Sequence, residues 1–205
     1  MVRVKICGIT NATDARLAVR YGAHALGFNF SKGPRLVTEE RAQAIVAALP
    51  PFVSRVGLFV DEDVATILRI CRSCGLDTVQ LHGAERPTIV PELRPFKVIK
   101  AFRIREPDDV KHLGRYNVDA YLLDAFVPGK MGGTGRTFDW AMAADAHRYG
   151  PIVLAGGLRP DNVAEAIRAV KPFAVDVCSG VEVQPGMKDK QKLVTFLHAA
   201  AAAGV

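Results

Sequence analysis

A handful of residues in this chain combine reactive side chains with spacings that would place them together. Lys5 and Cys7 lie two apart in the run Val2–Cys7. In an extended strand residues two apart share a face, so Arg3, Lys5 and Cys7 look one way and Val4 and Ile6 the other. A cation one layer below a thiol favours the thiolate, which makes Cys7 a candidate base or nucleophile. Asp124 ends Asp119-Ala-Tyr-Leu-Leu-Asp124, where a carboxyl group could act as a general acid. Asp176 stands two before Cys178, suited to neutralising Lys5 or to catalysis itself, the former being the simpler reading. His82 ends the run Thr78–His82 and could line a pocket. Arg35, in Ser31-Lys-Gly-Pro-Arg35, could hold a carboxylate in bidentate fashion. Each has a plainer reading: an inert buried thiol, a capping or ion-paired carboxylate, a packed imidazole, a solvated guanidinium.

Two glycine-bearing segments offer an anion site. Ala155-Gly-Gly-Leu158 and Ser179-Gly-Val-Glu182 supply Gly156, Gly157, Ser179 and Gly180, where missing side chains let backbone N–H groups approach a phosphate. Ser-x-x-Glu is also a capping-box pattern, so Ser179 is expected to open a short helix pointing at the anion. Two tight turns would need the same glycines. The loop Pro128–Arg136 is rich in glycine, but Lys130 is followed by Met131, so the order of a P-loop is missing and a lid is the better reading. Cys71-Arg-Ser-Cys74 has CxxC spacing without a second ligand pair. It falls at a helix end, unlike redox motifs at helix starts, and reads as two structural thiols. No histidine cluster has metal-ligand spacing, so no metal is expected.

What must position these groups is an eightfold pattern. Short β-branched runs recur at Val2–Cys7, Ala25–Phe30, Val53–Val60, Thr78–His82, Lys97–Arg103, Ala120–Ala125, Ile152–Ala155 and Ala174–Cys178. Helical periodicity fills most intervals: Ala12–Tyr21, Glu39–Leu49, Val64–Cys74, Thr88–Leu93, Phe138–Arg148, Asn162–Val170, then Lys190–Ala202. Glu106–Arg115 is the weakest of these helices. Asn11, Thr38, Asp61 and Thr137 are the expected N-caps, and Pro160 suits a first helical position behind a poor cap, Arg159. Alternating strands and helices with crossovers of this length require a parallel sheet. Eight uninterrupted units favour a single (β/α)₈ barrel over residues 1–205 rather than an open doubly wound sheet, whose GxGxxG turn is missing after Cys7. The apolar pair of the first strand then faces the helices, and Lys5 and Cys7 point into the barrel. Cys7, Arg35, His82, Asp124, Gly156, Gly157, Ser179 and Gly180 all fall at strand C-terminal ends or in the loops that follow, where barrels of this kind carry their chemistry.

Composition narrows the class. The 205 residues are 49% hydrophobic and 23% charged, which excludes disorder. No apolar stretch is long enough to span a membrane, and the start lacks the pattern of a signal peptide, so a cytoplasmic protein with thiols is expected. The net charge of +6 is spread along the chain, and aromatics make up only 7%, which speaks against a nucleic-acid partner. A positive surplus suits a small phosphorylated substrate. Monomer and homodimer are equally compatible.

Lys5-Ile-Cys-Gly-Ile-Thr10, Gly27-Phe-Asn-Phe30 with Ser31–Arg35, Gly57-Leu-Phe-Val60, Val79-Gln-Leu-His-Gly83, Leu123-Asp124, Gly132-Gly-Thr-Gly135, Leu154-Ala-Gly-Gly-Leu158 and Asp176-Val-Cys-Ser-Gly-Val-Glu182 occur in order. Together they resemble the phosphoribosylanthranilate isomerases of tryptophan biosynthesis, from end to end. The resemblance implies an Amadori rearrangement of N-(5-phosphoribosyl)anthranilate to 1-(2-carboxyphenylamino)-1-deoxyribulose 5-phosphate without a cofactor. It implies Asp124 as general acid, Cys7 as general base, Arg35 as holder of the anthranilate carboxylate, and Gly156, Gly157, Ser179 and Gly180 as the phosphate site. Gly33 and Arg159 depart from the residues usual in the family, which bears on loop rigidity and not on the chemistry; Cys178 in place of a more usual Ser is a small change. The similar isomerase of histidine biosynthesis is the nearest alternative, but its family has Asp where this chain has Cys7. Ribulose-phosphate epimerases carry metal-binding His and Asp residues that have no counterpart here.

Overall fold

The computed structural model describes residues 1–124, 143 and 145–203. Its centre is a closed barrel of eight parallel strands in sequential order, with the eighth paired to the first. The strands are β1 (Arg3–Ile6), β2 (Ala25–Asn29), β3 (Ser54–Phe59), β4 (Thr78–Leu81), β5 (Lys97–Arg103), β6 (Ala120–Asp124), β7 (Ile152–Ala155) and β8 (Ala174–Val177). All eight expected runs are strands, most of them trimmed by a residue or two at their ends.

Strand alternation sorts the side chains into two cores. Leu26, Phe28, Val79, Leu81, Leu123, Leu154 and Val175 belong to the larger cluster between barrel wall and helices. Ala101, Ala120, Leu122, Val153, Ala155 and Ala174 make a smaller cluster within the barrel. The interior residues are small or medium because eight strands leave just enough room for side chains to fill. At the β1–β8 seam that filling is ionic: Lys5 lies in register with Asp176 and donates to it at 2.9 Å.

Five α-helices lie among the described residues: α1 (Ala12–Arg20), α2 (Glu39–Ala47), α3 (Val64–Ser73), α4 (Val163–Val170) and α5 (Lys190–Ala203). Asn11 and Thr38 cap α1 and α2 as expected, accepting from the N–H groups of Asp14 and Arg41. The cap of α3 is Asp63, not Asp61. Asp61 sits at a φ of 51° and its carboxylate accepts instead from the Ala84 N–H. Thr88–Leu93 is not an α-helix but two 3₁₀ turns, Pro87–Ile89 and Pro91–Leu93. Pro91 has no N–H to continue a ladder across the segment. Residues Pro107–Arg115 form a 3₁₀ helix, with Asp109 accepting from the Arg105 and Glu106 N–H groups. Pro160 does not begin α4. Residues 159–162 form a turn in which Asn162 accepts from the Arg159 N–H at 2.7 Å, and α4 starts at Val163. The Pro128–Arg136 loop, Thr137 and most of the expected Phe138–Arg148 helix lie outside the described residues; Asp145–Tyr149 is a 3₁₀ turn. After β8 comes a short antiparallel hairpin, β9 (Glu182–Gln184) with β10 (Met187–Lys188). No helix among the described residues is long and apolar enough to cross a membrane.

Candidate active site

The C-terminal ends of the strands surround a cavity of about 290 Å³. Cys7, Arg35, His82, Asp124, Gly156, Gly157, Asp176, Ser179 and Gly180 all line it. Of the candidate residues only Lys5 does not, being buried one layer below.

Cys7 follows β1 and continues its ladder, its N–H donating to the Val177 carbonyl at 2.9 Å. Cys178 follows β8 directly across from it. Hydrogen bonding from the Cys178 thiol, joined by the Lys5 charge, holds the Cys7 thiol well below the ordinary range although burial opposes it. Cys178, as the donating partner and itself buried, is pushed up. Burial opposes the charge of Lys5, but Asp176 and Cys7 outweigh it and keep the ammonium protonated. These surroundings shift Cys7 toward its thiolate form, with a cation one layer below to support it.

Asp124 ends β6, and its Oδ2 lies 4.0 Å from His82 Nε2. Burial lowers the pKa of His82, and the nearby lysines add to this against the pull of Asp124. Gln80 shares the inward face of β4 with His82, its Nε2 lying 3.0 Å from His82 Nδ1. Its Oε1 is buried and has no hydrogen-bond partner among the described residues. Gln80 also lines the cavity. Gln80 stands two residues before His82, so strand alternation, applied to this strand, would have pointed to it.

The wall formed by the loops after β7 and β8 is made of peptide groups. Gly156 and Gly157 have φ values of 82° and 64°, in the left-handed region that favours glycine. A Cβ on Gly180 would run into the Leu158 carbonyl, so the two loops touch backbone to backbone. Asn162 braces the first of them by donating to the Gly157 carbonyl at 3.0 Å. The expected capping box at Ser179 does not form. Residues Ser179–Val181 make one 3₁₀ turn without a side-chain cap, and Glu182 turns away.

Glu182 turns toward Arg35. Arg35 Nε donates to Oε1 at 2.9 Å and to Oε2 at 3.1 Å, and its Nη2 donates to Oε2 at 2.6 Å. Lys188, wholly buried, donates to Glu182 Oε1 at 3.0 Å and to the Cys7 carbonyl. Burial opposes the charge of Glu182, but Arg35 and Lys188 hold its carboxyl down to about 2. Glu182 was visible in the sequence as half of a capping box and as the end of a family-like segment, with no role attached, and Lys188 carried no signal. Cys71 and Cys74 are buried thiols on α3 and at its end; burial pushes Cys71 up to about 12 and Cys74 in the same direction. Among the described residues no group of three or more His, Cys, Asp or Glu is placed to hold a metal ion.

Fold and site together define a (β/α)₈-barrel enzyme with one cavity on the C-terminal rim, lined by Cys7 and Asp124 among others. The family model for N-(5'-phosphoribosyl)anthranilate (PRA) isomerase matches residues 4–199, and the chain belongs to that family. It is 53% identical over 198 residues to the N-(5'-phosphoribosyl)anthranilate isomerase of Geobacter sp. (strain M21), covering 96% of this chain and 97% of that one. Among solved structures it is similar to the phosphoribosyl anthranilate isomerase of Thermotoga maritima, with a TM-score of 0.91 and 43% identity, covering 98% of this chain and 100% of that one. It is also similar, with a TM-score of 0.88 and 41% identity over 98% of this chain and 100% of the other, to a phosphoribosyl anthranilate isomerase in complex with reduced 1-(o-carboxyphenylamino)-1-deoxyribulose 5-phosphate.

Proposed function

We propose that the protein converts N-(5-phosphoribosyl)anthranilate to 1-(2-carboxyphenylamino)-1-deoxyribulose 5-phosphate by acid–base catalysis, as a step of tryptophan biosynthesis. The observation that carries the reading is one cavity bordered by a cation-supported thiolate, Cys7, and a strand-end carboxyl group, Asp124. Asp124 gives a proton to the ribose ring oxygen, and the ring opens to an iminium. Cys7, as thiolate, removes the proton at C2 to give an enolamine, which tautomerises to the ketone. Protons given and taken balance, and the substrate is neither oxidised nor reduced overall. The peptide wall at Gly156, Gly157, Ser179 and Gly180 receives the phosphate, and Arg35 the anthranilate carboxylate. Asp176 keeps Lys5 charged and in place, and Lys5 keeps Cys7 ionised. His82, neutral, lines the pocket beside Asp124. Small size, a polar rim and a modest positive surplus suit a doubly anionic substrate.

The test follows the loss of anthranilate fluorescence from freshly made phosphoribosylanthranilate. Cys7→Ala and Asp124→Ala should each reduce turnover about 10²- to 10⁴-fold. Turnover that survives Cys7→Ala in a folded protein would remove Cys7 as the base. A folded wild type without turnover would overturn the substrate.

A further inference from the structure

We propose that Glu182 is a positioning residue that aims Arg35 at the substrate's carboxylate, an inference that rests on the reading of Arg35 given above. Arg35 stands on the loop after β2, and its side chain must cross the end of β1 to reach the cavity. It does so over Gly8, whose φ is 71° and where a Cβ would lie 2.8 Å from Arg35 Cδ. Beyond Gly8 a long, flexible side chain would have several rotamers to choose from. Glu182, 147 residues away in sequence, removes the choice by accepting from both Nε and Nη2. Two contacts along one edge of a planar guanidinium fix both its plane and its direction. Five N–H donors are available in a guanidinium, and these contacts leave the Nη1 edge for a second acceptor.

The charges support alignment over quenching. Glu182 is shared by two cations, Arg35 and the buried Lys188, so the trio carries one positive charge more than its own carboxylate cancels. Arg35 is the member of the trio that lines the cavity. A carboxylate on a bound molecule matches the open edge of Arg35. Lys188 also donates to the Cys7 carbonyl, so one carboxylate ties the ring-binding arm to the strand that carries the base. Gly186, in the β9–β10 turn, donates to Glu182 Oε1 at 3.2 Å and adds a backbone anchor to that carboxylate.

The experiment compares two ligands on the whole protein: the reduced product 1-(o-carboxyphenylamino)-1-deoxyribulose 5-phosphate and its phenylamino counterpart lacking the carboxylate. Wild type should prefer the first. Glu182→Gln should cut that preference by about tenfold, the size of one charged hydrogen bond, and raise KM more than it lowers kcat. Arg35→Met should abolish the preference, and Glu182→Asp should restore part of what Glu182→Gln loses. An intact preference in folded Glu182→Gln, lost in Arg35→Met, would overturn the role of Glu182 and leave that of Arg35 standing. An intact preference in Arg35→Met would overturn both. If Glu182→Gln does not fold, Glu182→Asp decides the matter, because the shorter stem must weaken the carboxylated ligand selectively. Equal weakening of both ligands would make Glu182 structural and sink the proposal.

Discussion

Two buried ion pairs of nearly the same geometry lie on opposite faces of the barrel wall. Lys5 and Asp176 meet at 2.9 Å inside the barrel, and Lys100 and Glu85 at 2.8 Å on its outer side. All four side chains are buried. They differ in what surrounds them. Lys100, between Val98 and Phe102 on the helix-facing side of β5, also donates to the Gly83 carbonyl. Glu85 accepts from the N–H groups of Asp61 and Gly83. Lys100 borders a second cavity of about 460 Å³, yet the charges of the pair are taken up by backbone groups of the loops after β3 and β4. The inner pair faces a thiol that titrates. A buried pair saturated by peptide groups fixes a loop; one that faces a titratable side chain tunes it.

The largest effect expected from breaking this contrast is on stability. Removing one partner leaves the other charge buried and alone, so Lys100→Met and Lys5→Met should each cost about 3–5 kcal/mol in denaturant unfolding. Lys100→Met should leave kcat of the folded fraction nearly unchanged. Adding Glu85→Gln should recover much of its lost stability, since Gln still accepts from the loop. The inner pair should behave otherwise. kcat/KM of the wild type should rise with pH through an ionisation below the ordinary thiol range, because only the thiolate is a base. Lys5→Met removes the cation that favours the thiolate, so this limb should move to higher pH. A limb that stays in place would erase the distinction between the two pairs.

Acid unfolding sharpens the comparison at the trio beside the inner pair. The carboxyl of Glu182 falls from 4.5 to about 2 on folding. A depressed folded value means its contribution is fully present above about 4.5 and is lost as pH falls toward 2. Glu182→Gln should flatten the loss of stability across that window, as measured by urea midpoints. The smallest effect is a control outside both regions. Asp63→Ala removes the cap of α3 and should cost about 1 kcal/mol, with no change in turnover.

The parts of the molecule legible in the sequence are those decided by neighbours. Short apolar runs, most of them with β-branched residues, marked all eight strands; alternation placed Lys5, Cys7 and Asp176 on the inner face, and position at a strand end marked His82. Local capping rules worked for Asn11 and Thr38, whose partners lie three residues on. They failed where a distant partner offered more. Ser179 and Glu182 match a capping box, but Glu182 found two cations, one of them 147 residues away. Asp61 matches a cap, but the Ala84 N–H across the neighbouring loop claims its carboxylate. Thr88–Leu93 failed for a local reason that was readable: Pro91 interrupts it. Lys100 also left a trace, a charge between Val98 and Phe102 on an otherwise apolar face, but its partner Glu85 follows from no spacing rule.

The closure of β1 on β8 sets the order in which the protein can become active. Lys5 and Asp176 are 171 residues apart, and Lys188 reaches back 181 residues to Cys7. Ribosomes deliver β1 first, so Cys7 emerges long before Asp176, Cys178, Glu182 and Lys188 have been synthesised. Contacts of such long range carry a large loop-closure cost and form late. Throughout translation the thiol is therefore an ordinary cysteine, without the environment that ionises it. Only when the seam closes does Cys7 gain the surroundings that favour its thiolate, so on the reading of Cys7 as base the onset of turnover would report that closure.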